Sequence, residues 1–295
     1  AFLTRRYPLV SLAEIRRHLT AGQPLPADAV HVSFDDGFRN TLAAAEVLHE
    51  YRVPWSMFVI VDAVLDGYVP WFVRLAEAVE ATSRVRLRDG SVFDMTARRE
   101  KRRFRELAKS HVMAAPAGRA NTVVDEILSL PGMRVPEQPR WPFLTVDELR
   151  QLQQAGAEIG NHSARHCNLA RCSAPELGTE VRESRTRLES ALSEPVRAFA
   201  YPHGRHRRAV RRAVAADHDV AFAVWTYRPA GSRWAMLRAD AGPDLDSLRA
   251  AMSSDYRLVY GIRRLRWATR PTANEMLYRL RPRRAPLVSP SLPLR

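Results

Sequence analysis

Two adjacent carboxylates close an apolar run near the start of this chain. Residues 32–37 read Val-Ser-Phe-Asp-Asp-Gly, which places Asp35 and Asp36 at the carboxyl end of a predicted buried strand. Because side chains alternate along a strand, we expect the two acids to point in different directions. One of them could hold a metal ion while the other faces a water molecule beside it.

A histidine pair lies much further along the chain. His162 and His166 are separated by three residues, a spacing that would place both imidazoles on one side of a helical turn. Two neutral histidines and one carboxylate form a common hydrolytic metal site that leaves a position for water. The spacing alone is more typical of surface or core histidines. Its place after a predicted strand, together with the Asp-Asp-Gly run, favours a metal site.

The predicted elements alternate between strands and helices. Strands are predicted at 29–34, 55–61, 157–160, 196–201 and 220–225, and most are followed by an amphipathic helix. This order predicts an α/β fold with a parallel sheet and right-handed crossovers. In barrel forms of such folds, the chemistry collects at the carboxyl ends of the strands. Asp35, His162 and the run Pro202–Gly204 all follow predicted strands.

The chain is long enough for one large catalytic domain, which we place at residues 1–245. Within it, residues 65–142 are rich in charged helical patterns, and we interpret them as a helical insertion between barrel units. Residues 246–295 form a basic C-terminal extension that carries much of the net charge of +14. Such a tail could contact an anionic membrane surface, although charge blocks of this kind are more often solvated. We do not expect nucleic-acid binding.

No stretch of the sequence resembles a membrane span or a signal peptide. The only cysteines, Cys167 and Cys172, lie so close in sequence that a disulfide between them would stabilise little, so we predict free thiols. These observations favour a cytoplasmic protein, with a membrane-peripheral one as the alternative.

Three motifs resemble the polysaccharide deacetylase family, which is also known as the NodB-homology domain and carbohydrate esterase family 4. Residues 33–37 resemble its first motif, usually Thr-Phe-Asp-Asp-Gly. Residues 162–166, His-Ser-Ala-Arg-His, match its second motif, and residues 199–204, Phe-Ala-Tyr-Pro-His-Gly, resemble its third. The similarity extends from about residue 11 to residue 238.

The resemblance implies a distorted (β/α)7-type barrel and the removal of acetyl groups from an N-acetylated saccharide or polysaccharide. It implies that Asp35 is the general base and that Asp36, His162 and His166 bind a divalent metal, usually zinc but in some members another ion. Arg238 resembles the family arginine that tethers the base carboxylate.

Amide hydrolysis also requires stabilisation of the oxyanion and a proton for the departing amine. Backbone N–H groups around Tyr201, Pro202 and Gly204 could form an oxyanion hole. Family members with the full motif set carry a late histidine as general acid, but this chain has no histidine after His218. His203 is the nearest substitute in sequence, and a protonated Asp35 is the alternative donor.

Two other functions remain open at this point. The same site could hydrolyse a non-glycan amide, as an amidase or deformylase does. The chain could also be a catalytically weakened domain that only binds glycan, since the late histidine is missing.

Overall fold

The computed structural model describes residues 1–137, 139–224, 232–242 and 244–252. It confirms the predicted α/β class, because a curled parallel sheet forms a half-barrel that carries helices on its outer face. Of the basic extension predicted at residues 246–295, only residues 246–252 are described, so the structure does not test its prediction. Among the described residues, no helix has the length and apolar character needed to cross a membrane.

Six strands form the sheet, in the spatial order β1-β2-β5-β6-β7-β8, and every neighbouring pair is parallel. Their bounds are β1 Val32–Asp36, β2 Trp55–Val59, β5 Glu158–Asn161, β6 Ala198–Ala200, β7 Val220–Val224 and β8 Met236–Arg238. The barrel implied by the resemblance has about seven strands. Beyond these six, the described residues add a single parallel bridge between Leu9 and Val30.

Eleven helices are described, and most lie where the sequence patterns predict them. They are α1 Leu12–Ala21, α2 Thr41–Glu50, α3 Val61–Asp66, α4 Trp71–Ala81, α5 Arg98–Ala114, α6 Ala120–Leu128, α7 Val146–Gln154, α8 Ala174–Leu177, α9 Ser184–Leu192, α10 Arg208–Asp217 and α11 Leu245–Ala251. A π-helical stretch, Gly178–Glu183, joins α8 to α9. Capping boxes are formed at Ser11, Thr145 and Ser173, each of which has Glu three residues later in the sequence, so these three helix starts are readable from sequence.

Alternate residues of the strands divide between the interior of the half-barrel and the helix-covered face. Phe58, Ala198, Ala200 and Phe222 pack together in one cluster on the inner side. Their neighbours along the strands belong to two other clusters that pack against the helices. This division follows the two-residue period of a strand and explains why β2, β6 and β7 are almost entirely apolar.

The inserted segment between β2 and β5 has a hydrophobic cluster of its own, built by helices α4, α5 and α6. It also contains an antiparallel pair of strands, β3 Arg84–Arg86 and β4 Val92–Asp94, which the sequence interpretation as purely helical did not include. Each of these strands has only three residues, which is too few for the alternating pattern to stand out. The side chains of Val85 and Phe93 face the insertion's core.

Gly160 provides a test of the sheet packing. It pairs with Phe58 across β2 and β5, and a Cβ at this position would lie 2.4 Å from the Phe58 ring, which is fully buried. We expect Gly160→Ala to lower the free energy of unfolding by about 1–3 kcal/mol through overpacking.

Gly178 is the matched control, because its backbone is helical and a Cβ added there would meet no atom within 4 Å. Gly178→Ala is expected to be neutral or to stabilise by up to about 1 kcal/mol. Urea unfolding of both variants measures the difference. Equal midpoints for the two variants would contradict the close packing of Phe58 on Gly160.

Candidate metal centre and active site

Three side chains converge at the carboxyl ends of β1 and β5. Asp36 Oδ1 lies 3.5 Å from His162 Nε2 and 3.4 Å from His166 Nε2. Tetrahedral ligands with metal–ligand distances of about 2.1 Å stand about 3.4 Å apart, so these separations suit a shared cation. Asp36 Oδ1 is buried and has no hydrogen-bond partner, as expected for an atom whose natural partner is a cation. The residues therefore fit a divalent metal.

The two acids of the Asp-Asp-Gly run do not point to opposite faces, as strand alternation predicts. Asp35 Oδ2 lies 3.8 Å from His162 Nε2, so both carboxylates reach the same histidine. The reason is local, because Asp36 ends the strand with φ of 74° and turns its side chain back towards this edge. Gly37 follows with φ of 86°, and a Cβ there would lie 3.2 Å from Val59 Cγ1, so the turn requires glycine.

The histidine pair is held by an irregular loop and not by the predicted helical turn. Ser163 and His166 have φ of 68° and 57°, and these left-handed residues bring the two imidazole centroids to 4.8 Å. The backbone N–H groups of Val61 and Asp62, at the start of α3, donate to the carbonyls of Ser163 and Ala164. The loop is thus fixed by hydrogen bonds from the first residues of α3.

Hydrogen bonding sets the orientation of His162. Its Nδ1 lies 2.7 Å from the carbonyl oxygen of Ala200, so Nδ1 carries the proton and donates. Nε2 faces Asp36 Oδ1. Burial, followed by the charges of His203 and His162, lowers the pKa of His166 well below its usual value, which keeps the His166 imidazole neutral.

Charge at the centre is unbalanced without a cation. Burial raises the pKa of Asp36 to about 6, and the negative charge of Asp35 adds to this effect against the opposing influence of His162 and Arg238. A bound cation would reverse the shift by stabilising the carboxylate.

Arg238 holds Asp35 through both of its carboxylate oxygens. Its Nη1 donates to Asp35 Oδ1 over 2.8 Å and its Nη2 donates to Oδ2 over 2.6 Å, while Nη1 also reaches Ser33 Oγ at 3.0 Å. The guanidinium lies over the Phe58 ring, 5.1 Å from its centroid. Burial alone would raise the pKa of Asp35, but the charges of His162 and Arg238 and the Arg238 hydrogen bonds outweigh it and lower the pKa. Asp35 is therefore an ionised, rigidly oriented carboxylate.

His203 lies beside the cluster and packs against its second histidine. The ring centroids of His203 and His166 are 4.4 Å apart, and the Trp71 ring lies 5.7 Å from His203 on another side. Burial, with a contribution from the charge of Lys109, lowers the pKa of His203 to about 3. A neutral imidazole in this place has no proton to give at neutral pH.

The predicted oxyanion residues lie next to the cluster, but most of their N–H groups are used by the fold. The Tyr201 N–H donates to the carbonyl of Phe222, the Gly204 N–H donates to the carbonyl of Tyr201, and Pro202 has no N–H. The Tyr201 side chain points away from the cluster, where its hydroxyl donates to the carbonyl of Trp234 over 2.8 Å. These three residues shape the turn instead of supplying a free donor.

Comparisons with known proteins agree with this arrangement. A family model described as polysaccharide deacetylase matches residues 140–223, which include both histidines of the cluster and the turn after β6. Over these residues the chain is similar to the polysaccharide deacetylase family. A search of curated proteins gave no match.

Solved structures of deacetylases share the fold of this chain. The Streptococcus pyogenes deacetylase PplD in complex with acetate superimposes with a TM-score of 0.53 at 17% identity, covering 84% of this chain and 81% of that chain. IcaB from Ammonifex degensii has a TM-score of 0.51 at 15% identity, covering 84% of this chain and 83% of that chain. At such identities the likeness establishes the barrel fold alone.

The sequence alone did not reveal the ion pairs that support the histidine loop of the candidate metal site. Asp62 is buried and accepts from Arg165 Nε at 2.8 Å and from Arg187 Nη1 at 2.6 Å. Arg165 belongs to the His-x-x-x-His loop, so Asp62 ties that loop to α3 and α9. A signal was present, since Asp62 lies shortly after the end of the buried strand β2, and the two acids of the first motif end β1.

The cluster predicts how metal content depends on its members. Asp36→Ala and His162→Ala each remove one of three ligand atoms, so we expect both variants to lose bound metal and activity together. His49→Ala, at an exposed histidine on α2, should retain both. Elemental analysis of the purified folded proteins provides the measurement. Full metal content in Asp36→Ala would show that the cluster is not the metal site.

Loss of the Asp62 contacts is expected to reduce metal binding less than loss of a ligand does. Loss of the Asp62 carboxylate frees Arg165 and loosens the histidine loop, so Asp62→Ala should weaken metal affinity by about 10- to 100-fold. Asp66→Ala is the matched control, because Asp66 pairs with the same Arg187 but is exposed and does not contact Arg165. Competition with a metal chelator measures both affinities. An unchanged affinity in Asp62→Ala would remove this residue from the support of the site.

Proposed function

We propose that this chain is a metal-dependent hydrolase that removes N-acetyl groups from an N-acetylated saccharide or polysaccharide. The observation that carries the proposal is the Asp36–His162–His166 cluster, which stands beside an ionised Asp35 clamped by Arg238. This combines an electrophilic centre with an oriented base, the two components that amide hydrolysis requires. The similarity of residues 140–223 to the polysaccharide deacetylase family supports an N-acetylated glycan as the substrate class.

Asp36, His162 and His166 would hold the metal, and we favour zinc because two imidazoles and one carboxylate are typical of its catalytic sites. When bound, such a cation supplies a Lewis acid that acts on the amide carbonyl and on the attacking water. The chain itself fixes the ligands: the Ala200 carbonyl orients His162, and the Ser163 turn brings His166 beside it.

Asp35 is the proposed general base. Its carboxylate lies at the edge of the cluster, is ionised at neutral pH, and cannot rotate because Arg238 engages both oxygens. One oxygen takes the proton of the attacking water as the new C–O bond forms. The same bidentate contact then stabilises the position of the protonated acid.

The backbone N–H of His203 is the proposed oxyanion donor. Residues Pro202–Gly204 form a short 3-10 helix, and the first N–H groups of a helix have no partner within it. Pro202 has no N–H, and the Gly204 N–H donates to the carbonyl of Tyr201. The His203 N–H is therefore the donor of this turn that the short helix does not use. Its φ of 57° sets the direction of the N–H.

Asp35 is also the proposed acid for the second half of the reaction. The leaving amine needs a proton when the C–N bond breaks, and the chain has no histidine after His218. The His203 imidazole is neutral, so the proton that Asp35 took from water is the one available beside the cluster. One carboxyl group then serves both steps.

A cytoplasmic location and contact of the basic tail with an anionic membrane surface remain proposals from the sequence.

Asp35→Asn tests the base assignment. The amide keeps the size of the side chain but cannot accept a proton, so we expect metal content to be retained and kcat for acetate release to fall by about 10²- to 10⁴-fold. N-acetylglucosamine oligomers serve as substrate, and bound metal is quantified in the same samples.

Asp28→Asn is the matched control, because Asp28 is exposed and asparagine tolerates its φ of 55°. It should retain both metal and turnover. Wild-type turnover in metal-loaded Asp35→Asn would exclude Asp35 as the base. Activity on small non-glycan amides in place of the oligomers would instead favour the amidase alternative.

A further inference from the structure

A row of partly exposed aromatic rings begins at the metal cluster and leads away from it. The Phe72 ring centroid lies 4.8 Å from that of His166, and the Phe38 ring lies 6.4 Å from Phe72. Phe143 stacks on Phe38 at 4.6 Å with an interplanar angle of 24°. Phe38, Phe72 and Phe143 therefore form a continuous aromatic wall beside a cluster ligand.

The wall is rigidly mounted on the catalytic motif itself. Phe38 directly follows Gly37 and forms an isolated antiparallel bridge with Phe143. The Arg39 N–H donates to the Pro142 carbonyl and the Leu144 N–H donates to the Gly37 carbonyl, each over 2.9 Å. A ligand that contacts these rings would therefore have a fixed position relative to Asp35 and Asp36.

The hydrophobic core does not account for Phe38 and Phe143, whereas Phe72 is partly exposed and packs in part against the core of the insertion. Phe38 and Phe143 belong to none of the four core clusters among the described residues, and each remains partly exposed. Trp71 gives the contrast, since it is 2% exposed and donates from Nε1 to the His166 carbonyl. Trp71 supports the site from within, whereas the phenylalanine wall faces outward beside it.

We propose that the wall of Phe38, Phe72 and Phe143 binds a sugar ring of the substrate and orients it towards the cluster. This inference rests on the proposed deacetylase function. A pyranose ring presents C–H groups on its face, which an aromatic face attracts, while the hydroxyls at its edge stay in water. A small acetylated molecule without a sugar ring gains nothing from such a surface. The wall thus assigns sugar selectivity to residues outside the metal and base set.

Phe143 is the best residue to change, because it lies farthest along the wall from His166 and packs in no core cluster of the described residues. We compare the metal-loaded wild type with Phe143→Ala, Phe143→Leu and Phe143→Tyr. The substrates are N-acetylglucosamine tetramer and ethyl acetate, which carries an acetyl group but neither a sugar nor an aromatic ring. Tyr51→Ala is the control, since Tyr51 is 44% exposed at the end of α2 and outside the wall.

Loss of the ring should raise KM for the tetramer by about 3- to 10-fold with little change in kcat, the signature of lost substrate binding. We expect this in Phe143→Ala and in Phe143→Leu, whereas Phe143→Tyr and Tyr51→Ala should resemble the wild type. The ratio of kcat/KM for the tetramer to that for ethyl acetate should fall in the first two variants only.

Each other outcome overturns the inference at a different point. An unchanged ratio in Phe143→Ala removes the wall from substrate binding and leaves the proposed function intact. A wild-type KM for the tetramer in Phe143→Leu would show that an apolar side chain is sufficient at this position and that ring stacking is not required. Turnover of ethyl acetate without turnover of the tetramer by the wild type would refute a sugar ligand, and turnover of neither would refute the proposed function itself.

Discussion

The ion pair between Arg238 and Asp35 joins the two edges of the half-barrel. β1 and β8 are the outermost strands of the sheet, and the curl of the sheet brings Asp35 at the end of one against Arg238 at the end of the other. The arginine rests on the inward rings of Phe58 and Phe222, so the barrel interior supports the contact. The same bond that spans the edges also fixes the proposed base. Fold closure and catalytic orientation therefore depend on one interaction.

The sequence was sufficient to predict the strands, the main helices and the residues that meet at their ends, because each depends on local pattern. Capping boxes mark helix starts, and continuous apolar runs mark strands buried on both faces. Parallel strands share one carboxyl edge, so the motifs after β1, β5 and β6 had to lie near one another. This topological rule brought Asp36 and His162 together without any contact information.

The directions of the side chains could not be predicted in the same way. Four of the seven non-glycine residues with positive φ among the described residues lie at the site: Asp36, Ser163, His166 and His203. Such conformations are unfavourable in isolation, and the surrounding bonds impose them. Strand alternation therefore failed at Asp36, and helical spacing failed at His166. Likewise, no local pattern could show that the insertion places Trp71 and Phe72 against a cluster histidine.

The strained turns and the unpartnered carboxylate oxygen have a common explanation. A buried Asp36 Oδ1 without a donor is unfavourable, and so is each left-handed side-chain-bearing residue around it. A cation shared by Asp36, His162 and His166 would offset both, since it satisfies the oxygen and ties together the loops that carry the strain. Arg238 cannot take this role, because its guanidinium is already committed to Asp35. A cation bound from outside the chain would supply a positive charge at Asp36, so the arrangement fits a metal site better than an ion pair between Asp36 and Arg238.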